Sequence, residues 1–270
     1  MTLHRAAVLG HPVAHSLSPR LHRAAYQALG LADTWAYGAF DVDEAGLVGF
    51  LDGLGPEWAG LSLTMPLKHA VMPLVDHVEP LAQAVGAVNT VLFTPGGRVG
   101  TNTDVYGIVQ AVREAVADAA RPAGFDRVTI LGGGATAASA LAAVSELGAG
   151  QIEVYVRSTA RARSLMAAAL RMGVKFDFRA WPGEGAVGWA GDLTVSTLPP
   201  RAADSLTVVR APGVLLDVAY DPWPSALAGA WAAAGGTVVS GLTMLLHQAA
   251  EQVRLMTGLP APLAAMRAAL

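Results

Sequence analysis

A glycine-rich turn, Leu131-Gly132-Gly133-Gly134-Ala135-Thr136-Ala137, separates the apolar run Val128-Thr129-Ile130 from an alanine-rich stretch over residues 138–147. That order predicts a strand, a tight turn and a helix. Gly132 makes the turn, Gly134 lets a pyrophosphate approach the backbone, and Ala137 stands where a third small residue allows helix to pack on strand. The diphosphate would rest on N–H groups at the helix N-terminus, where the helix dipole also favours negative charge. Gly132, Gly133, Gly134, Ala135, Thr136 and Ala137 are therefore candidate cofactor contacts. The turn lies near the middle of 270 residues, so the first half of the chain needs a role of its own.

Composition narrows that role. A formal net charge of −3 with 14% charged residues offers no broad basic field for nucleic acid, so a small-molecule partner is expected. The absence of cysteine rules out a disulfide framework, a thiolate metal site and a Cys nucleophile. His11, His15, His22 and His247 are expected to be structural or solvated, and no metal is expected. Hydrophobic residues make up 53% of the chain, and residues 222–250 lack Asp, Glu, Lys and Arg. That stretch is broken by Pro224, Gly235-Gly236, Ser240-Gly241 and His247-Gln248, which suits buried strands and helices better than a bilayer span. Residues 1–9 are too short for a signal peptide. A cytoplasmic enzyme without a membrane partner is the expectation.

Strands are expected at residues 6–9, 35–40 and 60–64, alternating with helices at 18–29, 43–54 and 67–74, which implies a parallel sheet. Ser18-Pro19 reads as an N-cap with proline at the first helical position. Residues 88–103 read as a hairpin turning at Pro95-Gly96-Gly97, followed by a helix over 104–120. A second alternating series has strands at 128–131, 152–156, 193–196, 214–218 and 237–240. Helices at 244–257 and 261–270 close the chain.

The end of the second strand in that series decides which dinucleotide fits. A carboxylate there would bind a ribose 2′-hydroxyl, but the strand ends in Val156-Arg157-Ser158 with Arg161 and Arg163 beyond. A guanidinium makes charge-assisted hydrogen bonds to a 2′-phosphate, which favours NADP(H). The alternative is that these arginines are the solvated start of a helix.

In the first half, Ser16 and Ser18 lie two residues apart between a strand end and a helix start, where two hydroxyls can bind one carboxylate. Alternatively Ser18 only caps its helix. Thr64-Met65-Pro66-Leu67-Lys68 sets a lysine just past a strand end, where parallel α/β proteins gather ligands.

Taken in order, Ser-Leu-Ser-Pro, Leu-Thr-Met-Pro-Leu-Lys, Gly86-Ala87-Val88-Asn89-Thr90, Asn102-Thr103-Asp104, the glycine turn, Tyr220-Asp221-Pro222-Trp223-Pro224 and Gly241-Leu242-Thr243-Met244-Leu245-Leu246-His247-Gln248 resemble the shikimate dehydrogenase family over essentially the whole chain. The resemblance implies an α/β fold of two domains. Residues 1–103 with 241–270 would form the substrate domain, and residues 104–240 a Rossmann-like NADP domain. It implies NADPH-dependent reduction of 3-dehydroshikimate to shikimate by a monomer or homodimer. Ser16 and Ser18 would bind the substrate carboxylate, and Thr64, Asn89 and Gln248 the carboxylate or ring hydroxyls. Lys68 and Asp104 would be the catalytic pair, with Tyr220 near the substrate carboxylate. Ser158, Thr197 and Gly241 fall among the cofactor contacts, the last two near the nicotinamide.

The chain departs from the family pattern in two cofactor motifs. Ala137 follows Thr136 where an arginine is often found, which removes one phosphate contact. The usual Asn-Arg-Thr reads Val156-Arg157-Ser158, which loses an amide and keeps the arginine. Quinate/shikimate dehydrogenases that use NAD are the alternative class, and Thr64 and Arg157 both argue against them. A non-catalytic nucleotide sensor on the same fold would be expected to lack Lys68 or Asp104.

Overall fold

The computed structural model describes residues 3–118, 124–158, 162–182, 185–188, 191–211 and 213–270. The chain divides into two compact units, Met1–Thr103 with Leu245–Leu270, and Asp104–Met244.

The first unit begins with β1 (His4–Gly10), α1 (Ser18–Ala28), β2 (Trp35–Asp41), α2 (Leu47–Asp52), β3 (Trp58–Leu63) and α3 (Leu67–Ala70). A single 3-10 turn (Met72–Leu74), β4 (His77–Val78), α4 (Pro80–Val85), β5 (Thr90–Thr94) and β6 (Gly97–Thr101) follow. The sheet order is β2-β1-β3-β5-β6-β4. β1 runs parallel to β2 and β3, and β5 is antiparallel to both β3 and β6. Ala7 and Leu9 pack with Leu47, Leu61 and Leu67, whereas Ala6 and Val8 pack with Tyr26, Tyr37 and Met256. Both faces of β1 are covered, which is why it reads as an unbroken apolar run.

Two expected boundaries shift for local reasons. α2 starts later than residue 43 because the Asp43 carboxylate accepts the Gly46 N–H at 2.9 Å, closing a turn before the helix. The N-cap of α1 is Leu17, with no side-chain cap, and Ser18 is the first helical residue. Ser18 therefore does not cap the helix, and it is buried. α4 was not anticipated, although Pro80 opens it and Gly86, at φ 77°, closes it.

The second unit opens with α5 (Asp104–Asp118) and continues through β7 (Arg127–Leu131), α6 (Ala135–Glu146), β8 (Gln151–Val156), α7 (Arg163–Met172) and β9 (Asp177–Ala180). It then forms β10 (Gly185–Gly188), β11 (Leu193–Ser196), β12 (Leu206–Arg210), β13 (Val214–Asp217), α8 (Ala226–Ala233) and β14 (Thr237–Ser240). Six strands form one parallel sheet in the order β14-β13-β11-β7-β8-β9, and β10 pairs with β12 separately. The winding direction reverses at β7 and β11, the switch point where doubly wound sheets bind ligands at strand C-termini. α9 (Gly241–Thr257) begins directly after β14, three residues before its expected start, and α10 (Leu263–Ala268) packs on α1. No helix among the described residues is long and apolar enough to cross a membrane.

Candidate active site

In the first unit the candidate residues sit on loops held by short backbone bonds. The Ser16 N–H donates to Val13 O at 2.9 Å, and the Ser18 N–H reaches Ser16 Oγ at 3.4 Å. Ser16 is half-buried and Ser18 buried. The base of this loop is held by Asp41, at the end of β2, whose carboxylate accepts the Val13 N–H at 3.2 Å and lies 2.5 Å from His11 Nδ1. That hydrogen bond raises the His11 pKa and lowers that of Asp41.

Thr64 and Lys68 belong to the turn after β3. The Thr64 N–H donates to Leu9 O, and Thr64 O accepts from the Leu67 N–H that opens α3. Gly10 lies against Thr64: a Cβ at Gly10 would overlap Thr64 Cγ2 and lie 3.0 Å from Met65 O. The Leu63 N–H donates to Asn89 O at 2.7 Å and the Val88 N–H to Lys68 O at 2.9 Å. The lysine-bearing turn is thus stitched to the Val88-Asn89 segment that leads into β5, and Lys68 itself is half-buried.

Asn89 is 2% exposed and fully engaged. Its Oδ1 accepts the Thr103 N–H at 2.8 Å and the Thr90 hydroxyl at 2.9 Å. Its Nδ2 donates to Thr103 Oγ1 at 3.0 Å and to Gln248 Oε1 at 3.3 Å. The structure therefore brings Asn89 and Gln248, 159 residues apart in sequence, into direct contact.

Behind this pair lies a buried polar chain that the sequence did not reveal. Gln252 donates from Nε2 to Thr90 Oγ1 and accepts the Ser62 hydroxyl at Oε1, both at 2.9 Å. The Tyr37 hydroxyl donates to Ser62 Oγ at 2.6 Å, and His22 Nε2 lies 3.4 Å from Gln252 Oε1. His22 is fully buried and stacks on Tyr37 with centroids 3.8 Å apart. Burial pulls its pKa down to about 3, against its hydrogen bond to Gln252 Oε1. Two signals were available: Ser62 interrupts an apolar strand, and Gln252 follows Gln248 by four residues on one helix face.

In the second unit, Gly132 adopts φ 116°, a region favouring glycine, and a Cβ there would overlap Thr197 Oγ1. Thr197 donates both its N–H and its hydroxyl to Leu131 O at 2.9 Å, fixing the floor of the turn. A Cβ on Gly133 would lie 3.1 Å from Val156 Cγ1 and 3.4 Å from Ala162 Cβ. A Cβ on Gly134 would meet no protein atom within 4 Å. The protein packs against two of the glycines and leaves open space at the third, which fits a diphosphate approaching the N–H groups of Ala135, Thr136 and Ala137. Arg157 and Ser158 are exposed just beyond β8, next to Val156. Arg161 lies outside the described residues.

Asp104 is 1% exposed and opens α5, where the helix dipole favours its charge. Tyr220 is half-buried, and burial raises its pKa, with Asp221 adding to the effect. Asp217 ties both ends of the Tyr220 segment, accepting the Ala219 N–H at 3.3 Å and the Ser225 hydroxyl at 2.5 Å. Burial raises the Asp217 pKa against these bonds. Gly241 has a packing reason for being glycine, since a Cβ would overlap Val218 O and lie 3.0 Å from Val218 Cα.

An all-parallel sheet with a glycine turn at its switch point, together with an α/β unit gathering a lysine and two carboxamides, is the layout of a nucleotide-dependent oxidoreductase. A shikimate dehydrogenase substrate binding domain model matches residues 8–91, and a shikimate 5′-dehydrogenase C-terminal domain model matches residues 241–270. The shikimate dehydrogenase (NADP(+)) of Oleidesulfovibrio alaskensis is 37% identical, with 97% of this chain and 92% of that protein aligned. The crystal structure of Mycobacterium tuberculosis shikimate dehydrogenase superposes with a TM-score of 0.84 at 41% identity, covering 98% of each chain. Shikimate 5-dehydrogenase from Thermus thermophilus in complex with NADP(H) and shikimate gives a TM-score of 0.80 at 34% identity, over 99% of this chain and 100% of that one. The chain belongs to the shikimate dehydrogenase family.

Proposed function

We infer that this chain reversibly reduces 3-dehydroshikimate to shikimate with NADPH, a step toward the aromatic amino acids. The observation that carries this reading is the contact of Asn89 with Gln248, anchored beside the turn of Lys68. A carboxamide pair held this rigidly suits a polyhydroxylated ring, because Asn89 fixes which way the half-buried Gln248 amide faces and a ligand lacking a hydroxyl leaves that amide unpaired.

In this reading the Ser16 and Ser18 hydroxyls take the substrate carboxylate, Tyr220 assists them, and Thr64, Asn89 and Gln248 read the ring hydroxyls. When bound, NADPH supplies the hydride that adds to the substrate's carbonyl carbon. The Lys68 ammonium stabilises the negative charge growing on the carbonyl oxygen and hands it a proton. Asp104 completes the catalytic pair by holding that proton donor in line. Gly132, Gly133, Gly134, Ala135, Thr136 and Ala137 would hold the diphosphate, Arg157, Ser158 and Arg161 the 2′-phosphate, and Thr197 and Gly241 the nicotinamide end. Residues 1–103 and 241–270 serve the substrate and residues 104–240 the cofactor. The enzyme works in the cytoplasm as a monomer or homodimer.

Initial rates for shikimate and quinate with NADP+ and NAD+ test the reading. Shikimate with NADP+ is expected to be the fastest pair. Faster turnover of quinate, or of either substrate with NAD+, would move the chain to the quinate/shikimate class.

A further inference from the structure

We propose that Gln252 is a positioning residue that, through the Thr90 hydroxyl, holds the Asn89 carboxamide in the orientation set by the Thr103 N–H. This rests on the reading of Asn89 as a substrate contact. The argument starts from the Thr103 N–H, a donor that no side-chain rotation can reverse. It points at Asn89 Oδ1 at 2.8 Å, which places Nδ2 on the arm facing Gln248 Oε1, with Thr103 Oγ1 within reach of both arms. Thr90 has one hydroxyl proton and gives it to the same Oδ1 at 2.9 Å. With that proton committed its oxygen can only accept, so Gln252 presents Nε2 to it at 2.9 Å.

The opposite arm of Gln252 is thereby an acceptor. It takes the Ser62 proton at 2.9 Å, and Ser62 in turn accepts from the Tyr37 hydroxyl at 2.6 Å. His22, held neutral, donates its Nε2–H to the same arm at 3.4 Å. Protons thus point one way from Tyr37 through Ser62, Gln252 and Thr90 to Asn89. Every member is buried, so a reversed carboxamide would leave unpaired or clashing groups out of reach of water. Because Asn89 donates to Gln248 Oε1, the Gln248 Nε2 group is turned toward the ligand, and the pair selects acceptor oxygens.

Three variants test this. Gln252→Glu keeps the shape and removes the donor to Thr90, Gln252→Leu removes both arms, and Thr90→Val removes the hydroxyl that passes the polarity on. Each is expected to raise the KM for shikimate about tenfold, the value of one hydrogen bond, with a smaller loss in kcat and the KM for NADP+ within twofold. Thr90→Ser, which keeps the hydroxyl, recovers most of the loss. A readout independent of turnover is the side-chain amide pair of Asn89 in 15N–1H spectra: slowly exchanging in the parent protein and in Thr90→Ser, fast in Thr90→Val. Should the Gln252 variants fail to fold, Thr90→Val decides alone. An unchanged shikimate KM with unchanged Asn89 signals overturns the proposal, as does a parallel rise in the NADP+ KM. A parent protein inactive on shikimate would instead overturn the proposed function and leave the Asn89 signals to judge the polarity.

Discussion

His11 Nδ1 lies 2.5 Å from Asp41 Oδ1, and the second oxygen of the same carboxylate accepts the Val13 N–H. Side-chain exposures of 59% and 51% make this a surface pair of small direct worth, but it pins the base of the loop bearing Ser16 and Ser18. Asp43 adds to the rise of the His11 pKa. The raised His11 contributes fully below its ordinary 6.5 and loses that contribution as pH climbs through its raised value. The lowered Asp41 contributes fully above 3.8 and loses it as pH falls through its lowered value. The loop is therefore best held between those limits. His11 should titrate above 6.5 by NMR, and Asp41→Asn should return it to the ordinary range and raise the shikimate KM severalfold. An unmoved His11 titration would show that the pair does not form in solution.

Lys68 is tested by truncation. Because Val88 N–H bonds its backbone carbonyl rather than its side chain, Lys68→Ala should leave the stitched turn in place. Turnover should fall by roughly 10²–10⁴, the usual reach of a proton donor at a reacting group, while shikimate binding weakens much less. Calorimetric titration beside kcat separates the two, and equal losses would make Lys68 a binding residue only.

How far these residues were legible depends on what each leans upon. Strands covered on both faces, such as the run from Ala6 to Leu9, announce themselves by apolar continuity. β9 does not, because Asp177, Arg179 and Ala180 are exposed along an edge. α8 escaped notice because its residues are apolar all round, although Ser225 caps it by accepting the Ala228 N–H. Ser16, Lys68, Asn89 and the glycine turn stand out because each sits beside a proline, a glycine or a strand end. Gln252, Ser62, Thr90 and Tyr37 come from four elements and acquire meaning only through tertiary pairing.

Arg157 follows Val156, whose Cγ1 lies against the glycine turn, and its exposure leaves the guanidinium available to a phosphate. A charge-assisted bond to phosphate is worth about 1.5–3 kcal/mol. Arg157→Ala should therefore raise the KM for NADP+ by roughly 10–100-fold and leave that for NAD+ nearly unchanged. If both constants rise together, the arginine acts on the turn's structure and not on the 2′-phosphate.

Gly132→Ala should separate two costs that meet at one atom. The residue holds φ 116°, and a side chain in so sparse a region costs about 1–3 kcal/mol. The new Cβ would also overlap Thr197 Oγ1, breaking the hydroxyl's bond to Leu131 O. Removing that hydroxyl with Thr197→Ala takes away the overlap but not the backbone strain. Urea midpoints of the two single variants and the double variant should therefore show partial recovery, with the double variant more stable than the two single losses summed. Full recovery would mean that the backbone at residue 132 relaxes freely. No recovery would mean that Thr197 does not form the wall of the turn.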